Sequence, residues 1–406
     1  MGFEVRAIEP VELDDYIRTA FVAFGAHPTE SDIEAHRIQF EPGRSLAAFD
    51  GPTMVGIGAA YRFQLTVPGA VIPTAHVTTI GVIPTHRRRG VMTELMRPLL
   101  DDAHERSEAV STLGASEGGI YGRFGFGIGT LDCRIDLERR HATFARPFEP
   151  AGAVRLVSRA EALDVFGPIY ERALPSRPGM MSRPKGWWEA RFYDPEHERE
   201  GFGALFFAVH DSWDGSDGYV AYRIRGDWPE ETPAGVLAVD ELVAATDDAY
   251  RDLWRFCLGV DLVARIQGHG RPPDEPLFHM LEDPRRLRLT VGDGLWFRLV
   301  DVPTALASRM YAAAGRVTFE VRDPVCPWND GRYVLEGGPG IATCEQTSEE
   351  PDLVLSAADL GAAYLGGISL RTLGSAGRVE ERTDGALARA SAMFAWDPAP
   401  WCPHVF

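Results

Sequence analysis

Cysteine is scarce in this chain: five residues among 406, at positions 133, 257, 326, 344 and 402. They form no CxxC pair and accompany no histidine cluster at metal-ligand spacing, which argues against a zinc site and a disulfide framework. No metal is expected. No apolar run is long enough to span a bilayer, and Met1-Gly2-Phe3-Glu4-Val5-Arg6 has neither an apolar signal core nor a myristoylation pattern. A cytoplasmic location is therefore the expectation. Positive charge is also in short supply, with 41 Lys and Arg against 59 Asp and Glu and a formal net charge of −18. That disfavours a nucleic acid partner, because holding a phosphate backbone needs a basic face. An acidic surface suits cationic partners such as amines, and equally serves solubility. At 45% hydrophobic and 10% aromatic residues the chain can bury ordinary cores, and its length implies two or three domains.

Against this acidic background one basic segment stands out. Val77-Thr78-Thr79-Ile80-Gly81-Val82-Ile83-Pro84-Thr85-His86-Arg87-Arg88-Arg89-Gly90-Val91-Met92 reads as a strand, a basic turn closed by glycine, and the start of an amphipathic helix. Backbone N–H groups at a helix N-terminus attract phosphate, and Gly90 admits it without a Cβ in the way. Arg87, Arg88 and Arg89 add charge-assisted donors at the mouth of the turn. The bland reading is a solvated arginine run, but its place at a strand-to-helix turn ending in Gly favours a pyrophosphate site. About thirty residues on comes Ser116-Glu117-Gly118-Gly119-Ile120-Tyr121-Gly122-Arg123-Phe124-Gly125-Phe126-Gly127, a short helix carrying a Tyr and then Gly-Phe. The two signals in this order are far more specific than either alone. Together they resemble the GCN5-related N-acetyltransferases (GNAT), in which Arg-x-x-Gly holds the pyrophosphate of acetyl-CoA. The family usually has Gly or Ala where this chain has Met92, so its helix is expected to pack differently against the cofactor.

The order of elements follows the same fold. Residues 3–8 alternate like a strand, and a helix from Pro10 to Gly25 places Leu13, Tyr16, Ile17, Ala20, Phe21 and Phe24 on one face. A second helix follows Thr29, with Asp32 in the capping-box position. Strands Ser45–Phe49 and Met54–Val67 are joined by Asp50-Gly51, and a helix spans Val91–Ala109 with a kink expected at Pro98. From about Phe148 the chain restarts, and strand Leu237–Val243, turn and helix Ala249–Val260 repeat the first topology. The second turn, Ala244-Ala245-Thr246-Asp247-Asp248, has neither Arg nor Gly, and its two carboxylates would repel a pyrophosphate. From Leu287 onward the pattern changes to strands Arg288–Thr290 and Leu295–Val300 around Gly292-Asp293-Gly294, then further short strands and a helix at Ala357–Gly366. This is an α+β lobe of ordinary domain size. The fold class is α/β (α+β): domains 1–145 and 146–286 as tandem GNAT folds, the second without a cofactor motif, and 287–406 as an α+β lobe.

That three-part order is similar to the Eis (enhanced intracellular survival) family, in which the third part resembles a sterol carrier protein. Val77–Met92, Ser116–Gly127, Trp296–Pro303 and the tail Trp401–Phe406 carry the resemblance. It implies an acetyl-CoA-dependent N-acetyltransferase acting on amines of cationic molecules, including aminoglycosides at several positions, and a homo-hexamer. It further implies that backbone at Ile80, Gly81 and Val82 receives the pantetheine arm, and that Arg88, Arg89, Gly90, Val91, Met92 and Thr93 wrap the pyrophosphate. Ser116 and Glu117 flank the thioester, Tyr121 is the general acid and the carboxylate of Phe406 the general base. Each has a plainer reading. Ile80 and Val82 are edge-strand or core residues in any case, Tyr121 alone reads as a packed aromatic, Glu117 suits a helix N-terminus, and Phe406 alone reads as a frayed end. His404 is a rival base. A lysine or polyamine acetyltransferase, or a lipid-binding protein using the third lobe, are the alternatives.

Overall fold

The computed structural model describes residues 2–404. They form two compact units, one from residues up to 130 together with 294–400, the other from 131–293 with 401–404. The first unit opens with β1 (Glu4–Ala7), a 3-10 turn at Pro10–Glu12, α1 (Leu13–Ala23) and α2 (Glu30–Arg37). α1 buries Tyr16, Ile17 and Ala20, the stripe expected from helical spacing, whereas Phe24 beyond its end is exposed. α2 begins with the expected reciprocal cap: Thr29 accepts from Asp32 N, and Asp32 Oδ2 accepts from Thr29 N at 2.7 Å. Antiparallel β2 (Ser45–Asp50), β3 (Thr53–Val67) and β4 (Ala70–Val82) follow, and α3 (Val91–Glu105) crosses to β5 (Val110–Gly114), parallel to β4, before the short β6 (Gly127–Ile128). α3 runs on through Pro98, where only the bond to the carbonyl one turn back is lost. It ends at Glu105 rather than Ala109, because a turn with Ser107 at φ 58° feeds β5.

The second unit contains β7 (Leu131–Glu138), β8 (Ala153–Val157), α4 (Arg159–Ala173), α5 (Lys185–Arg191), β9 (Phe206–Ser212), β10 (Gly215–Arg225), β11 (Gly235–Ala244), α6 (Asp247–Gly259), β12 (Val263–Arg271), α7 (Leu277–Met280) and β13 (Arg288–Asp293). Its seven strands run in the order β13-β7-β12-β11-β10-β9-β8. β11 and β12 are parallel with α6 as the crossover, so the topology of the first fold recurs, as expected. α5, absent from the sequence reading, buries Trp187 and Trp188.

The chain then returns to the first unit with β14 (Leu295–Leu299), α8 (Val302–Ala307), β15 (Gly315–Arg322), β16 (Gly331–Gly337), β17 (Thr343–Gln346), β18 (Leu353–Ser356), α9 (Ala357–Tyr364), α10 (Leu370–Ser375), β19 (Val379–Glu381) and α11 (Ala386–Phe394). Five of these strands form a separate sheet, β17-β16-β15-β18-β19, the core of the carrier-like lobe. The strands read around Gly292-Asp293-Gly294 do not belong to that lobe. β13 pairs with β7 in the second sheet, whereas β14, every residue buried, inserts between β5 and β6 to complete the order β1-β2-β3-β4-β5-β14-β6. β7 likewise sits in the second sheet rather than the first. Local alternation identifies a strand but carries no information about which distant edge receives it. No helix among the described residues is long and apolar enough to cross a membrane.

Candidate active site

The cleft of the first fold follows from where two strands stop pairing. β4 and β5 are hydrogen-bonded only over Thr74–Val77 and Val110–Leu113, yet β4 continues to Val82. A bulge marks the separation: the β3–β4 register shifts between Ile57 and Ala59, opposite Thr79 and Ile80. Thr79 adopts φ 52°, a costly conformation for a β-branched residue, and its hydroxyl meets the buried Tyr16 hydroxyl at 3.2 Å. Beyond the bulge, Gly81 and Val82 pair with Ile57 and Gly56 of β3, and no strand pairs with the other edge of Ile80, Gly81 and Val82 among the described residues. A Cβ on Gly81 would lie 2.8 Å from the Ala23 Cβ, so glycine lets α1 pack directly against this edge.

At the end of β4 the chain turns through Arg88 (φ 62°) and Gly90 (φ 91°) into α3. Gly90 is the N-cap and supplies no side-chain acceptor, and the first intrahelical bonds run from Thr93 N and Glu94 N to Gly90 O. The preceding N–H groups, those of Val91 and Met92, point from an uncapped helix N-terminus, a ready place for an anion. The three arginines differ. Arg87 turns back to donate to Val82 O and, at 2.6 Å, Ala23 O, so it braces the turn rather than standing at its mouth. Arg89 is 3.5 Å from Asp50 and lies over the Phe3 ring. Arg88 is exposed and has no ion-pair partner among the described residues. Val91 is buried, Thr93 is exposed, and half-buried Met92 packs into the hydrophobic cluster around Tyr121, its sulfur 3.4 Å from Arg123.

Tyr121 opens the 3-10 turn Tyr121–Phe124 and packs with Val77, Met96, Leu113, Phe126 and Trp296, leaving 5% of its surface exposed. Burial raises its phenol pKa above the ordinary value. A hydrogen bond with the Ser116 side chain opposes that shift, and nearby Glu117 adds to it. The hydroxyl is therefore protonated at neutral pH and available as a donor. Ser116 and Glu117 are exposed on the loop before it. Two residues of this region lie in segments that carry the resemblance but were given no role from sequence: Thr79, whose strain depends on the bulge, and Arg298 of β14, which donates to Phe124 O from a distant part of the chain.

In the second fold the equivalent features are filled. β11 pairs with β12 only as far as Val239, and its freed carbonyls are occupied. Asp240 O accepts from Arg191 at 3.0 Å and Leu242 O from Arg271 at 2.9 Å. Glu241 is buried against Arg183 at 2.9 Å and Tyr219 at 2.6 Å. Burial alone would raise its carboxyl, but Arg183 and Arg191 overcome that and hold it at about 2. The N-terminus of α6 is capped by Thr246, which accepts from Ala249 N at 3.1 Å, and Asp247 and Asp248 stand in its first turn. Trp401 closes the same region, with its N donating to Pro178 O at 2.8 Å and its indole N–H to Gly270 O at 2.9 Å. The buried Arg271 guanidinium lies over both its ring and that of Trp254. His404 is buried against Trp187, which ties the rival base into a packed site. The carboxylate expected at Phe406 lies outside the described residues.

Comparisons with known proteins find three domains in order along the chain. The acetyltransferase (GNAT) domain family matches residues 4–129, a second acetyltransferase (GNAT) domain family matches 179–299, and the sterol carrier protein domain family matches 302–403. An uncharacterized N-acetyltransferase of Streptomyces avermitilis is 41% identical over the whole of both chains. The N-acetyltransferase Eis of Mycobacterium tuberculosis is 36% identical over 86% of this chain and 84% of its own. Among solved structures, Eis1 from Mycobacterium abscessus superposes with a TM-score of 0.88 at 34% identity, covering 99% of this chain and 100% of that one. The GNAT fold implies use of acetyl-CoA, and the uncapped α3 turn with the open β4 edge fits that molecule's pyrophosphate and amide-bearing arm. The chain belongs to the Eis family of GCN5-related N-acetyltransferases.

Proposed function

We propose that the first fold alone binds acetyl-CoA and transfers its acetyl group to amines of cationic small molecules such as aminoglycosides, at more than one position. The observation that carries this reading is a contrast within one chain: an open strand edge, an uncapped helix and a buried Tyr in the first fold, against the same features filled in the second. Acetyl-CoA supplies an activated thioester. Backbone at Ile80, Gly81 and Val82 pairs with its pantetheine arm, as an added strand pairs with a sheet edge. Arg88, Arg89 and the backbone of Gly90, Val91, Met92 and Thr93 hold the pyrophosphate, while Ser116 and Glu117 border the thioester. Tyr121 donates its proton to the departing thiolate, and the Phe406 carboxylate takes the proton of the attacking amine directly or through water. The working form is a homo-oligomer, a hexamer by family likeness.

Steady-state turnover of acetyl-CoA with aminoglycosides, polyamines and lysine peptides tests the acceptor class. Highest kcat/KM on aminoglycosides is expected, and preference for a peptide or polyamine would overturn that choice. Tyr121→Phe is expected to lower kcat by about 10²–10⁴ while leaving acetyl-CoA affinity unchanged. Full turnover by that variant would make Tyr121 a packing residue. Comparing the native protein with a C-terminal Gly-Ser extension and with His404→Ala separates the two candidate bases: loss in the extended protein supports Phe406, and loss only in His404→Ala refutes it.

A further inference from the structure

The turn that carries Tyr121 is not held by its own fold alone. It ends at Gly125, φ 80°, where a Cβ would lie 1.7 Å from the Arg298 guanidinium and 3.3 Å from Ala357. Arg298, on β14, donates one arm of its fork to Phe124 O, the last carbonyl of the turn, and the other to Asp323 at 2.5 Å. Both side chains of this pair are fully buried. Asp323 lies in the carrier-like lobe, just beyond β15, and is itself fastened. Its second oxygen accepts from Val325 N at 3.2 Å and Cys326 N at 3.0 Å, and its backbone N donates to Asp330 at 2.9 Å. Asn329 completes the connection, accepting from Val302 N at 3.0 Å and donating to Leu299 O at 3.2 Å.

The same seam is packed backbone to backbone. A Cβ on Gly127 would come within 1.9 Å of Ala358 O, and one on Gly361 within 2.2 Å of Phe297 O. α9 of the lobe thus lies directly on β6 and β14, with Tyr364 stacked on Phe297 at 4.9 Å. A buried ion pair with both carboxylate oxygens and both terminal guanidinium nitrogens engaged is stiff, because any displacement uncovers a charge in a low-dielectric interior.

We propose that the carrier-like lobe serves the acetyl-transfer reaction as the anchor of the Tyr121 turn, with Arg298 and Asp323 as its positioning residues. The lobe reaches the phenol through three links: Asp323 to Arg298, Arg298 to Phe124 O, and the turn Phe124–Tyr121. Neither residue touches the reacting atoms. They set where the Tyr121 hydroxyl sits relative to the departing thiolate, and a displacement of about 1 Å at such a group costs on the order of 10²-fold in rate. The inference rests on the reading of Tyr121 as general acid.

The test pairs the anchor with the acid. Asp323→Asn alone leaves Arg298 buried without its counter-charge and risks unfolding, so the deciding variant is the charge-free pair Arg298→Met with Asp323→Asn. Its asparagine still accepts from Val325 N and Cys326 N. In the full-length protein this pair is expected to lower kcat about 10- to 10²-fold, with acetyl-CoA Kd within about twofold by calorimetry, since the phosphate turn is untouched. Made in the Tyr121→Phe background, the pair is expected to cost nothing further, because a residue acting only through Tyr121 has nothing left to position. Wild-type kcat in the folded pair variant would overturn the proposal, and so would a loss that multiplies with that of Tyr121→Phe. If Tyr121→Phe by itself retains full turnover, the acid assignment falls first and takes this inference with it. Retained loss in Tyr121→Phe alongside an additive pair effect refutes the anchor only.

Discussion

His76 offers a direct test of the cleft's physical basis. It sits on β4 opposite Thr112 of β5, in the last stretch where the two strands pair, and it is fully buried with its Nδ1 2.9 Å from the Thr112 hydroxyl. Burial lowers its pKa from 6.5 to about 3, since the charged ring would lose its hydration there. A folded-state value below the unfolded one means that the unfolded chain binds the extra proton. The stabilising contribution is therefore complete above about pH 6.5 and drains away as the pH falls toward 3. At pH 5 the unfolded state gains about 1.5 pH units of protonation, which at about 1.4 kcal/mol per unit amounts to about 2 kcal/mol. The perturbation is His76→Gln, which keeps a polar partner for Thr112 but cannot titrate. Amide hydrogen exchange across β3 and β4 reports opening of this sheet without assuming that the whole chain unfolds as one. Between pH 8 and pH 5, wild-type protection is expected to fall about 30-fold relative to the variant measured at the same pH. A wild-type to variant ratio that is the same at both pH values would refute the argument that a neutral, desolvated His76 supports the β4–β5 junction.

Three further outcomes are expected. Calorimetry should find one acetyl-CoA per chain, with Arg88→Ala weakening binding about 10- to 10²-fold and Arg89→Ala less, because Arg89 is already shared with Asp50; a stoichiometry of two would refute assignment to the first fold alone. Glu241→Gln strands the buried Arg183 guanidinium and should cost about 3–5 kcal/mol of stability by denaturant unfolding, and an unchanged midpoint would show that the plug in the second fold is not held by charge. Trp401→Ala removes a buried indole that donates to Gly270 O and lies beside Arg271. It should lower kcat while leaving the acetyl-CoA stoichiometry at one, and undiminished turnover would separate the packing of residues 401–404 from catalysis.

Much of this was legible in the residues because the signals are local. A glycine that must adopt φ 91° between a strand and a helix, a threonine–aspartate cap, and an amphipathic stripe each depend on neighbours within one turn of chain. Arg87 shows the limit. Sequence places it in the basic turn beside Arg88, but the carbonyls of Ala23 and Val82 claim its donors, and Ala23 lies more than sixty residues away. The contrast of the two folds was visible as Arg-Gly against Asp-Asp. Its completion by Arg191, Arg271 and Trp401 was not, since each arrives from a different element.

What the sequence by itself determined was therefore most of the elements, the basic glycine turn that opens α3 and the family to which they belong, all properties of short-range backbone geometry and charge. Only the tertiary structure decided that β7 and β14 each complete a different sheet from the one their neighbours suggest, that β4 and β5 part at Thr79, and that the Tyr121 turn hangs on Arg298 and Asp323. Those outcomes depend on which strand edge is free and which buried charge needs a partner, and both are settled by groups far apart in the chain that meet only when the core closes.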